Sequence, residues 1–239
     1  AANEAGALAR AVHVVATSAA TAETLRRDYG VAVERMSVAR PGTDPAPRAT
    51  GSGGAEVAIL SVGSLTPRKG HDLLLEALAR HRDLPWRLTI VGAGDPGKGY
   101  GAELARLAAR LDIADRVRFA GALGDDALEA AWLGADLFAL ASHHEGYGMA
   151  FAEAVARGLP VVAPRLAAVE EATQGAAETF PPGDPEALAA VLGPLLADAE
   201  ARAALARRSG AAAARLPRWA DTAAVILGVM GEAVGAEHA

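Results

Sequence analysis

The sequence predicts an α/β protein with a doubly wound parallel sheet, and two observations carry that prediction. From Glu56 onward, short apolar runs alternate with amphipathic helical patterns. The runs are apolar at consecutive positions, which suits strands buried on both faces of a parallel sheet. Right-handed crossovers between such strands lay helices on both sides. At 239 residues the chain suits one large domain, or one domain and part of a second.

The first segment, residues 1–44, reads β-α-β through VHVVATS, AATAETLRRDYG and MSVARPG. The stretch TDPAPRATGSGGA (43–55) is rich in Pro, Gly and Ser and reads as a linker, taken as 45–54. Strands are then expected at VAILSVG (57–63), LTIVG (88–92), VRFAG (117–121), DLFALA (136–141) and PVVA (160–163). Helices are expected between them at HDLLLEALARH (71–81), GAELARLAARL (101–111), DDALEAAWL (125–133) and GMAFAEAVARG (148–158). Asp184 as N-cap and Pro185 at the first helical position start a helical tail. Its last helix is LPRWADTAAVILGVMGEAV (216–234). The main domain therefore spans 55–205, and 206–239 holds further helices. Trp86, Trp132 and Trp219 read as core or interface anchors, and His143 and His144 as a polar loop tip.

The net charge is −6, and no basic cluster exceeds Arg26-Arg27, Arg68-Lys69 or Arg207-Arg208, which argues against a nucleic-acid surface. With no cysteine there is neither a disulfide framework nor a thiolate metal site. The histidines include no pair at helical spacing, so a metal-free site is expected. No 18-residue apolar run and no signal-like N-terminus occur, so the expectation is a cytoplasmic protein.

VGAGDPG (91–97) matches G-x-G-x-x-G through Gly92, Gly94 and Gly97. That pattern holds dinucleotide phosphates when it opens straight into a helix. Here Pro96 to Tyr100 lengthen the connector, and no acid ends the next strand at Phe119-Ala120-Gly121. That leaves an NAD-dependent oxidoreductase as a minor reading, behind the others.

The stretch HHEGYGMAFAEAVARGLPVVA (143–163) is more informative. Glu145 sits on a glycine-broken loop, and Glu153 falls on the second turn of the next helix, roughly 7 Å further along. Free amides of Gly148, Met149 and Ala150 at that helix N-terminus suit phosphate oxygens. Carboxylates have the wrong sign for phosphate, but they accept hydrogen bonds from polyol hydroxyls. A ligand with a polyol at one end, a diphosphate in the middle and a ribose at the other meets both demands. That is a nucleotide sugar. Arg68 and Lys69, in SVGSLTPRKGHD, offer cations to its diphosphate.

These motifs resemble the C-terminal, donor-binding part of the retaining GT-B glycosyltransferases of family 4 (glycosyl transferases group 1). The family signature E-x7-E is met by Glu145 and Glu153, and G-R-L-x-P-x-K-G by GSLTPRKG (63–70). VARPGTD (38–44), FPPGDPEALA (180–189) and LPRWAD match further stretches. The resemblance implies a Rossmann-like C-terminal domain of a GT-B fold, preceded in 1–44 by the tail of an acceptor-binding N-terminal domain. It implies that Glu145 holds hydroxyls of the transferred sugar, aided by the backbone of Gly146, Tyr147, Gly148 and Met149, with Ala150 beside them. Glu153 is implied to hold the ribose, Lys69 the diphosphate across Gly63 and Ser64, and the neighbourhood of Arg118 to Ala120 the base. The implied donor is a UDP-, GDP- or ADP-sugar, with no cofactor and no metal.

Ser64 stands where the family has its first phosphate arginine, which leaves Arg68 to replace it. In LAAVEE (166–171), Ala167 and Ala168 stand where the family has Gly-Gly, while Glu171 keeps its acid. A missing N-terminal domain or a partner chain is expected to supply the acceptor site and any membrane contact. The chain alone is expected to bind donor, to transfer sugar poorly, and to expose apolar surface at 1–44 and 216–234 that drives self-association or partner capture. A non-catalytic nucleotide-sugar-binding module and a GT-B sugar-nucleotide epimerase are the alternatives.

Overall fold

The computed structural model describes residues 2–236, so the expected tail 206–239 ends outside them at 237–239. The chain opens with α1 (Ala2–Arg10), β1 (Val14–Ala16), α2 (Ala19–Tyr29) and β2 (Met36–Val38). β1 and β2 pair in parallel, which makes the expected β-α-β unit. Ser18 caps α2 by accepting from the Thr21 N–H. Helix α1 had no clear sequence signal, because Leu8 is its only large apolar residue.

The main domain alternates β3 (Val57–Val62), α3 (His71–Ala79), β4 (Trp86–Val91), α4 (Gly99–Arg110), β5 (Val117–Gly121) and α5 (Asp125–Leu133). It continues through β6 (Leu137–Ala139), α6 (Met149–Ala156), β7 (Val161–Pro164), α7 (Ala167–Thr173) and β8 (Glu178–Phe180). Helices α8 (Pro185–Ala197), α9 (Ala199–Ala213) and α10 (Trp219–Ala236) follow. The strand order is β5-β4-β3-β6-β7-β8, all parallel. The chain starts at the centre, winds out to β5, returns beside β3 and winds out to β8. The reversal between β3 and β6 is a topological switch point, where the following loops part and leave a crevice.

All five expected strands form, and β8 and α7 are additions. Both are too short to show a period in sequence. The strand expected over 136–141 contracts to Leu137–Ala139. Asp136 is held back as an acceptor for the Ser52 and Ala58 N–H groups and the Ser52 hydroxyl. The stretch 45–54 has no regular structure, yet it is stitched to the main domain. Ala49 N–H donates to the Arg157 carbonyl, and the Thr50 and Gly51 N–H groups donate to Leu133.

Leu74, Leu75 and Leu78 of α3 and Leu192 of α8 pack around Trp86 on one face of the sheet. On the other face, Phe138 lies between Trp132 and Phe151, with ring centroids 5.3 and 5.5 Å away. Helix α10 returns to the first segment: the Thr222 hydroxyl donates to the Arg40 carbonyl, and Arg218 to that of Thr43. Among the described residues, the exposed large apolar side chains are Val12, Val15, Tyr29 and Val33 of the first segment and Trp219, Ile226, Leu227 and Met230 of α10. They mark the surface expected from residues 1–44 and 216–234. Among the described residues, no helix is long and apolar enough to cross a membrane.

Gly70 joins the loop after β3 to α3 with φ +60°, and a Cβ there would stand 2.0 Å from the Ala141 carbonyl oxygen. Gly70→Ala is therefore expected to lower the unfolding free energy by about 2 kcal/mol or more, through left-handed strain and a backbone clash. Urea unfolding measures it.

Candidate functional site

The loops after β3 and β6 meet at the switch point. Lys69 ends a single 3-10 turn (Pro67–Lys69), and its Nζ donates to Glu145 Oε1 at 2.6 Å. The Ser142 hydroxyl donates to the same oxygen at 2.7 Å. Arg68 Nη1 lies 3.5 Å from Glu145 Oε2 and donates to the His144 carbonyl at 2.8 Å. The Glu145 side chain is only 8% exposed and that of Lys69 14%. A carboxylate so buried needs compensation, and here two cations and a hydroxyl supply it.

His71, fully buried at the start of α3, turns Nε2 toward the carbonyls of Gly63 and Ser64 at 3.2 and 3.3 Å. Burial holds its pKa below the usual 6.5, so the neutral ring donates to these carbonyls and pins the loop above β3. The neutral form is favoured only in the folded state. This contribution to stability is therefore complete above pH 6.5 and is lost as pH falls below it. An unfolding series from pH 8 to about pH 5 should show that slope, and His71→Gln should remove it. Sequence reading gave His71 no role; its place at the head of an apolar helix was the available signal.

A cleft of about 510 Å³ opens between the two loops and α6. Gly63, Ser64, Lys69, Glu145, Tyr147, Gly148, Met149, Ala150 and Glu153 line it, and Thr17 and Pro41 close it from the first segment. Gly148 starts α6 with no side-chain cap, and Gly148, Met149 and Ala150 of its first turn line the cleft. Glu153 also lines an adjoining cavity of about 310 Å³ with Asp125, Glu129, Arg157 and Trp219. Burial raises the Glu153 pKa, opposed by Arg157 and reinforced by Glu129.

Three expected site residues are not among those lining the cleft. Arg68 is directed to Glu145 and His144, with half of its side chain exposed. Gly146 turns its carbonyl to α2. Arg118 lies on β5, two strands out from β3, and lines a separate cavity with Thr89 and Leu123. The Tyr147 ring belongs to the core; burial and then the Glu171 charge push its hydroxyl up to about 12.

The glycine-rich stretch 91–97 is used for packing. A Cβ on Gly92 would lie 2.2 Å from the Gly63 oxygen, so β3 and β4 can close together only with glycine there. Helix α4 starts at Gly99, beyond a turn in which Asp95 accepts from the Gly97 N–H.

Strand order and cleft position define a Rossmann-like α/β protein with a cleft at the carboxyl edge of its sheet, the architecture of GT-B glycosyltransferases. Residues 56–198 match the model of the glycosyl transferases group 1, and the chain belongs to that family. The D-inositol 3-phosphate glycosyltransferase of Salinispora tropica is 37% identical, over 97% of this chain and 53% of the relative. That of Geodermatophilus obscurus is 35% identical, over 86% of this chain and 50% of the relative. The chain thus spans about half the length of the curated relatives it matches.

Among solved structures, sucrose-phosphate synthase from Thermosynechococcus elongatus is similar at a TM-score of 0.85 and 26% identity, over 98% of this chain and 61% of that one. Anabaena HepE in complex with UDP and glucose gives 0.78 and 23%, over 92% of this chain and 63% of that one.

Proposed function

We propose that the chain is the donor-binding half of a retaining, metal-independent glycosyltransferase that uses a nucleoside-diphosphate hexose. The observation that carries this reading is one cleft lined together by Glu145, Lys69, the first turn of α6 and Glu153. In this reading hexose hydroxyls donate to Glu145, Lys69 turns from Glu145 toward the diphosphate, and the ribose hydroxyls donate to Glu153. The anomeric carbon–oxygen bond breaks while an acceptor hydroxyl attacks the same face. The acceptor proton passes to the departing diphosphate oxygen. Lys69 and the α6 amides stabilise the charge that develops there, so catalysis is mostly positioning and electrostatics.

HepE has been solved with UDP, with UDP and glucose, and with UDP-glucose, which favours a uridine donor over GDP- or ADP-sugars for this chain. The exposed apolar side chains of the first segment and α10 support a docking face for an acceptor-binding domain or partner. Residues 1–44 are then the tail of that domain.

Calorimetry with UDP-, GDP- and ADP-glucose and NAD, all in EDTA, tests the reading. Selective binding of one nucleotide sugar, without transfer by the chain alone, is expected. Binding of NAD alone, or no binding by the folded chain, overturns it.

A further inference from the structure

We infer that Ser18, with Thr17 and Thr21, is a positioning residue for the sugar-binding loop, an inference that rests on the donor-site reading above. The Gly146 carbonyl oxygen accepts from Ser18 Oγ at 2.6 Å, Thr21 Oγ1 at 3.0 Å and Thr17 Oγ1 at 3.2 Å. A carbonyl oxygen has two lone pairs, so three converging hydroxyls saturate it. All three come from the head of α2, between 125 and 129 residues away along the chain.

Ser18 is fully buried, and its oxygen also accepts from the Thr21 N–H at 3.0 Å. Its hydroxyl is therefore not a free rotor. Of the two acceptors within reach of its proton, Thr21 Oγ1 at 2.9 Å and the Gly146 oxygen at 2.6 Å, the Gly146 oxygen is the nearer. A second tie holds the same helix end: Glu171 accepts from the Ala19 N–H at 2.9 Å and pairs with Arg40.

The consequence lies on the other side of the peptide. The 146–147 bond is trans, so its N–H points opposite to its carbonyl. Fixing the Gly146 oxygen against α2 also fixes the direction of the Tyr147 N–H, in a loop whose residues Glu145 and Gly148 line the cleft together with Thr17. In the donor-site reading that N–H donates to an oxygen at the hexosyl end of the ligand. Ser18 touches no ligand and acts through this peptide. The first segment thus sets the geometry of a loop that belongs to the main domain, and a shift of α2 releases it.

Calorimetry with UDP and UDP-glucose on the unsubstituted chain, Ser18→Ala and Ser18→Thr tests this. Ser18→Ala should weaken UDP-glucose about tenfold, the effect of one lost hydrogen bond, while UDP binds as before and Ser18→Thr restores the difference. Unchanged binding of both, or equal loss of both, overturns the inference and leaves Ser18 a helix cap. Thr21→Val, which keeps that cap, carries the same comparison if Ser18→Ala does not fold.

Residual dipolar couplings of the Tyr147 N–H need no nucleotide. They should depart from the unsubstituted values in Ser18→Ala and return in Ser18→Thr, and unchanged couplings overturn the inference. Failure of the unsubstituted chain to bind UDP-glucose sinks the donor-site reading instead.

Discussion

Glu145→Ala should lower the transfer rate by about a thousandfold or more, measured with the acceptor-binding half present, because in the proposed function it removes the group that orients the hexose. Binding of the free nucleoside diphosphate to the chain should hardly change, since the proposal gives its contacts to Lys69, the α6 amides and Glu153. The same substitution strips Lys69 of the partner it meets at 2.6 Å. Lys69 borders an open cleft and can turn to water, so the cost to stability should be about 2 kcal/mol, below that of a fully enclosed pair. Steady-state kinetics and urea unfolding separate the two effects. Transfer retained within about tenfold would contradict the role given to Glu145.

Glu153→Ala should raise the dissociation constant for the nucleotide about a hundredfold, since in the proposed function two ribose hydroxyls lose a charged acceptor. Glu153→Gln should separate binding from stability. The raised pKa means that the folded state carries a disfavoured carboxylate at neutral pH, a cost relieved as pH falls through that raised value. Glu153→Gln should therefore match or exceed the stability of the unsubstituted chain at pH 7, lose that advantage toward acid pH, and still bind nucleotide poorly. Such an exchange of stability for binding is common at functional sites. Loss of stability together with affinity at neutral pH would make Glu153 a structural residue.

The strands and helices that place the site were legible because their signals are local. Apolar runs such as Val57–Val62 and Val161–Pro164 are buried over nearly their whole length, and a run that hydrophobic can sit only between two layers. The loops that line the cleft were legible for a related reason. GSLTPRKG and the stretch from Glu145 to Glu153 follow strands that the topology sets side by side, so both reach the same crevice.

Other features depended on where side chains point, and sequence spacing does not encode that. Adjacent in sequence, Arg68 and Lys69 both reach Glu145, but Lys69 lines the cleft while Arg68 also donates to the His144 carbonyl. Strand order carried Arg118 to the outer strand and away from the cleft. His71 reads as one more helix residue until burial and two facing carbonyls make it a neutral donor.

By itself the sequence determined the layered α/β architecture, the positions of the two glutamates and the lysine, and the family. Only the tertiary structure decided that Glu145 and Lys69 compensate each other, and that the first segment grips Gly146 through Thr17, Ser18 and Thr21. Burial patterns follow from neighbours along the chain, whereas a hydrogen bond across more than a hundred residues exists only once the sheet has brought its two ends together.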